Sequence, residues 1–146
     1  MAQHGFRFAT DVNMHQSTMA IHYGLEVHDG VTVHDGDLVV LAGDGTVTLA
    51  ASGAGIAGIC RLPGDAVVGD IDHPVTCGVQ WFRAGDILQV PGNVAVPVTS
   101  VQPGDVRDLN AGADGLDPDA NHDFTVIATH ERWNLILVNV TDRQIE

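Results

Sequence analysis

Residues 35–59 read DGDLVVLAGDGTVTLAASGAGIAGI, and this stretch decides the fold class. Two aliphatic and β-branched runs, Leu38-Val39-Val40-Leu41 and Thr46-Val47-Thr48-Leu49, flank Asp44-Gly45. Branched side chains favour extended backbone, and Asp-Gly tolerates the positive φ that tight hairpin turns require. The pair reads as a β-hairpin. A link of small residues, Ala51-Ser52-Gly53-Ala54, then leads into another apolar run.

The same texture extends outward in both directions. Candidate strands are 19–27, 31–34, 37–42, 46–50, 55–61, 75–80, 86–90, 94–99, 124–129 and 133–140. A spacing of about 8–12 residues predicts an all-β fold, a small β-barrel or β-sandwich. Asp-Gly recurs at 29–30, 35–36 and 114–115. Gly36-Asp37, Gly85-Asp86 and Gly104-Asp105 each precede an aliphatic residue. Each reads as a turn that delivers the chain into a strand, its Asp side chain bonding local backbone amides. No window shows a helical period, and a turn or two of helix fits best at 103–112.

Residues 1–18 are polar, with isolated Phe6, Phe8, Val12 and Met14, and read as an extended N-terminal arm that orders against a partner. Residues 19–146 then form a single β-rich domain. Within it, 102–123 reads as one long acidic loop, a length that points to function or partner binding.

The chain has 146 residues, enough for one domain with a core of its own. It is 45% hydrophobic and 17% charged, a balance that folds. Nineteen acids (sixteen Asp, three Glu) oppose six Arg, with no Lys, for a net charge of -13. Scattered arginines in an acidic field supply no phosphate-binding footprint, which argues against nucleic acid. The same charge is repelled by an anionic membrane surface. No apolar run approaches the roughly 20 residues of a spanning helix, and no secretory leader is visible. A GC-rich genome or a high-salt habitat would each give an Asp-rich, Lys-free chain, and the scarcity of Glu favours the first. Cys60 and Cys77 lie in strand-like contexts without a CxxC spacing, which suggests buried free thiols over a cross-strand disulfide.

Catalytic signals are sparse. Ser17, Ser52 and Ser100 lie outside any Gly-x-Ser-x-Gly elbow. Gly53-Ala-Gly55-Ile-Ala-Gly58 imitates a dinucleotide fingerprint but runs into a strand where that motif needs a helix. His22, His28 and His34 recur every six residues and, with Asp29 or Asp35, offer the ligands of a metal-dependent small β-barrel enzyme. Asp29-Gly30 interrupts the strand that would align them. Asp117, Asp119, Asn121 and Asp123 place oxygens as at the start of a calcium loop. His122 then stands where that loop needs Gly, and Ala128 where it needs Glu. Trp81 with Arg83, and Arg132 with Trp133, are combinations enriched at interface hot spots, although the rings suit a core equally.

The phrases Asp35-Gly36-Asp37-Leu38-Val39-Val40, Gly45-Thr46-Val47-Thr48-Leu49-Ala50 and Ile56-Ala57-Gly58-Ile59 resemble tailed-phage head-decoration, or capsid-cement, proteins. Ala84-Gly85-Asp86-Ile87-Leu88 and Gly92-Asn93-Val94-Ala95-Val96-Pro97 form a second block of similar character, so the likeness covers roughly residues 36–106. The resemblance implies a non-enzymatic structural protein without a cofactor, made in a host cytoplasm and mounted on the capsid exterior of the virion. Its implied partner is the major capsid protein, with neighbouring capsomers bridged by a homo-oligomer, a trimer being favoured. The arm would add a strand to a capsid loop. The contact residues would be drawn from Phe6, Phe8, Val12, Met14, Trp81, Arg83, Arg132 and Trp133. A tail or fibre β-module is the other virion role consistent with this texture.

Overall fold

The computed structural model describes residues 3–9, 21–83, 85–120 and 123–144. Among them the chain is all-β, with thirteen strands and no α-helix. The strands are β1 (Arg7–Phe8), β2 (His22–Glu26), β3 (Thr32–Val33), β4 (Leu38–Leu41), β5 (Val47–Leu49), β6 (Gly58–Arg61) and β7 (Val67–Val68). They continue with β8 (Thr76–Trp81), β9 (Ile87–Pro91), β10 (Val106–Leu109), β11 (Leu116–Asp117), β12 (Phe124–His130) and β13 (Leu135–Val140). A six-stranded sheet runs β1-β9-β13-β12-β10-β11, a five-stranded sheet runs β2-β8-β6-β4-β5, and β3 pairs with β7. The sheets are antiparallel, one of them curled as a half-barrel.

The hairpin expected around Asp44-Gly45 is β4–β5, with Val39 opposite Leu49 and Leu41 opposite Val47. The continuous apolar run of β4 reflects burial on both faces. Leu38 of β4 and Ile59 of β6 enter the main core, while their neighbours Val39 and Cys60 enter a second cluster with Val27, Val33, Val47, Cys77 and Val79. In the six-stranded sheet the inward residues keep period two: Leu88 and Val90, then Ile136, Val138 and Val140. Ile127 is the extra residue of a β-bulge, because Val126 pairs with Val138 and Ala128 with Leu137.

Four sequence expectations require correction. Residues 3–9, expected as part of an arm that orders against a partner, pack on the chain's own core: Phe6 and Phe8 are core residues, Phe6 stacks on Phe124, and β1 pairs with β9, while 10–18 lie outside the described residues. Residues 103–112 hold no helix but a turn followed by β10. The supposed strand 94–99 is a turn closed by Asn93, whose Oδ1 accepts the Val96 amide at 2.6 Å, followed by a 3-10 turn at Val98–Ser100. Pro97, which lacks an amide donor, suits that turn better than a ladder. The stretch 102–123 is not one loop, because it contributes β10 and β11 to the sheet.

Candidate functional site

The Gly-Asp phrases share one geometry. In each, the Asp amide donates to the carbonyl three residues back, and its carboxylate accepts that residue's amide. The pairs are Asp37 with His34 (2.8 Å to the carboxylate), Asp86 with Arg83 (2.7 Å) and Asp105 with Gln102 (3.0 Å). The intervening glycines have φ of +98° (Gly36), +86° (Gly85) and +96° (Gly104), as the third position of a type II turn demands.

The first turn differs in what approaches it. The Phe6 amide donates to the Gly36 carbonyl at 2.8 Å, which presses His4-Gly5-Phe6 against the turn. A Cβ on Gly36 would lie 2.3 Å from the His4 carbonyl oxygen, and one on Gly5 would lie 2.3 Å from that of Gly36. Two glycines thus let the chains touch, and the contact brings His4 beside His34. His4 Nε2 lies 3.2 Å from Asp37 Oδ1, and His34 Nδ1 lies 3.4 Å from Asp37 Oδ2. The ring centroids are 5.5 Å apart, and Asp114 Oδ2 is 3.9 Å from His4 Nε2. Asp37 is buried, whereas both imidazoles are about half exposed. A cleft of ≈ 190 Å³ adjoins His4 and Asp114, lined also by Gln3, Asn93 and Asn110.

Behind this cluster, Asp35 receives Arg7 Nη2 (2.8 Å), Arg61 Nε (3.1 Å) and the Leu62 amide (2.9 Å), and Arg61 continues to Gln80. The two arginines more than neutralise Asp35 and lock the turn to β1 and β6.

A second feature lies at the end of the six-stranded sheet where β9 and β13 meet. The Gly92 amide donates to the Asn134 carbonyl at 3.1 Å, joining the loop after β9 to the β12–β13 turn. From these two loops protrude Val94, 99% exposed, and Trp133, 68% exposed. The Arg132 guanidinium sits 5.3 Å from the centre of the Trp133 ring, a cation–π arrangement.

Of the proposed contact residues, only Arg132 and Trp133 belong to this patch. Phe6 and Phe8 are buried, and Val12 and Met14 lie outside the described residues. Trp81 is half-buried against the second core cluster, and its Nε1 donates to His22 Nδ1. Arg83 is exposed, with its amide in the second Gly-Asp turn. Val94 was hidden in the supposed strand 94–99.

The histidine triplet does not assemble. His22 meets Trp81, and His28 meets Thr46 and Asp44 (3.0 and 3.2 Å), so among the described residues His34 is the one of the three that approaches another imidazole, that of His4. Asp44 is held below the usual carboxylate range by the Thr46 hydroxyl and then its amide, His28 adding less. The calcium-type set also disperses. Asp123 is buried and spends Oδ1 on the Gly53 amide (3.1 Å) and Oδ2 on the Leu109 amide (2.9 Å), which ties a loop to β10. Asp117 is paired across β10–β11 and caps the Asp119 amide, and Asn121 lies outside the described residues. Among the described residues, the one group of three metal-type donors is His4, His34 and Asp37.

No protein-family model matches the chain, and a comparison with curated proteins returns no match.

Proposed function

We propose that this protein is a structural component of a phage-type virion, binding the outer surface of the capsid shell and bridging neighbouring capsomers as a homo-oligomer. The observation that carries the proposal is the Val94–Arg132–Trp133 patch. A tryptophan under an arginine has hot-spot composition, and it stands on one of two mutually hydrogen-bonded loops, the other carrying the fully exposed Val94, a preorganised mount that loses little entropy on docking. The resemblance of residues 36–106 to capsid-cement proteins names the occupant: the major capsid protein of the shell. The acidic surface is compatible with a place outside the shell, away from packaged nucleic acid.

The test is co-sedimentation of the purified protein with expanded shells assembled from the major capsid protein of the phage that encodes it. Saturable, stoichiometric pelleting is expected, and Trp133→Ala should weaken it about 30-fold, the equivalent of about 2 kcal/mol at a hot spot. A wild-type protein that stays in the supernatant, or a Trp133→Ala variant that pellets as well as wild type, overturns the proposal.

A further inference from the structure

We propose that His4 and His34, with the Asp37 carboxylate between them and Asp114 at the rim, form a binding site for one divalent transition-metal ion of the zinc class. The inference stands apart from the capsid-binding proposal, since it concerns a different set of residues.

The Gly-Asp turn supplies a comparison inside the molecule. In all three copies the Asp carboxylate accepts the amide three residues back, so the turn itself needs only a backbone N–H there. The other copies carry Arg83 and Gln102 where the first carries His34. The imidazole at 34 is therefore not demanded by turn chemistry. Neither is the one at 4, delivered by a separate segment from the far side of Gly36. Two imidazoles from two segments nonetheless aim ring nitrogens at one buried carboxylate, whose ion-pair partners among the described residues are these two histidines alone.

The dimensions fit a metal. One donor atom from each of His4, His34 and Asp37 can be chosen so that all lie within 4.8 Å of one another. Tetrahedral zinc with bonds of about 2.0–2.1 Å places its ligands about 3.3 Å apart; each imidazole already stands near that distance from one Asp37 oxygen, His4 Nε2 at 3.2 Å from Oδ1 and His34 Nδ1 at 3.4 Å from Oδ2. The half-exposed rings have room to close the remaining gap. Asp114 Oδ2, 3.9 Å from His4 Nε2, or a water from the adjoining cleft completes four-coordination. Two imidazole nitrogens with carboxylate oxygen suit zinc, cobalt or nickel, whereas calcium and magnesium prefer all-oxygen sets. Binding would clamp the N-terminal segment to the 34–37 turn and so lock β1 onto the sheet.

The experiment uses the full chain without a histidine tag, stripped with chelator. Cobalt(II) titration is followed by visible d–d absorption and zinc binding by calorimetry. A single site per chain with tetrahedral-type cobalt absorption is expected, along with a higher Tm in zinc and no such shift in calcium or magnesium. His34→Ala and His4→Ala should each weaken zinc binding at least 100-fold, while His28→Ala and His73→Ala leave it intact. Because His4 and His34 are half exposed, the metal-free variants should unfold near the metal-free wild-type Tm, so lost binding reports lost ligands. The proposal is overturned by no single-site binding at millimolar zinc, by a His34→Ala variant that binds as wild type, or by equal loss in His28→Ala.

Discussion

At the residue scale, Gly36 and Gly104 separate two effects that usually travel together. Both occupy the positive-φ position of the same turn, but a Cβ on Gly104 meets nothing within 4 Å, whereas one on Gly36 meets the His4 carbonyl oxygen at 2.3 Å. Gly104→Ala should therefore cost only the backbone strain, about 1–3 kcal/mol, and Gly36→Ala distinctly more, as read from denaturant midpoints. Equal costs would mean that the N-terminal contact is not tight. Asp86 makes a pH prediction. Burial raises its carboxyl above the ordinary value of 3.8, against the lowering by the Arg83 amide and charge. A raised folded-state value favours the fold most below the unfolded-state value and loses that contribution as pH rises through the folded one. Asp86→Asn should hence gain stability relative to wild type at pH 7, and the gain should shrink below about pH 4, in thermal melts across that range. The Cys60 thiol is pushed above the usual thiol range by its hydrogen bond with Cys77 and by burial, so aromatic disulfide reagents should modify it only at the rate of unfolding.

At the scale of elements, the N-terminal segment is the telling case. Phe6 is fully buried and stacked on Phe124 with ring centroids 5.3 Å apart, so Phe6→Ala should destabilise by about 3–5 kcal/mol in chemical unfolding. An arm that ordered only against a partner would predict almost no change in the isolated protein. The contrast shows what the sequence could and could not convey. Hairpin β4–β5 was legible because its partners are neighbours and its turn residues are diagnostic. The Gly-Asp turns were legible for the same reason, since each is a four-residue local device. Strand β1 was not, because two residues carry no period and their partners, Gln89 and Leu88, lie far along the chain. Strands β7 and β11, also two residues long, carry no period either, whereas β3 falls within the expected strand 31–34. His4 escaped notice as a partner of His34 because two glycines from distant segments create that contact. The even spacing of His22, His28 and His34 had no structural sequel, since the strand breaks at Asp29-Gly30.

For the whole molecule, the acidic excess proves to have several uses rather than one field. Asp37, Asp86 and Asp105 close turns, Asp123 joins a loop to β10, and Asp35 anchors two arginines. Under the proposed function the patch at the β9–β13 end meets the shell and the protein acts as a homo-oligomer, so sedimentation velocity should report a trimer in preference to a 15.4 kDa monomer. Trp133→Ala should leave the Tm within a degree or two, because the ring is exposed and its removal opens no cavity. The most direct measurement is electron cryomicroscopy of the particle that carries the protein. Density for this fold is expected on the outside of the head, with Val94, Arg132 and Trp133 turned toward the shell. Density on a tail or fibre, or a copy on the head with that patch facing solvent, would contradict it.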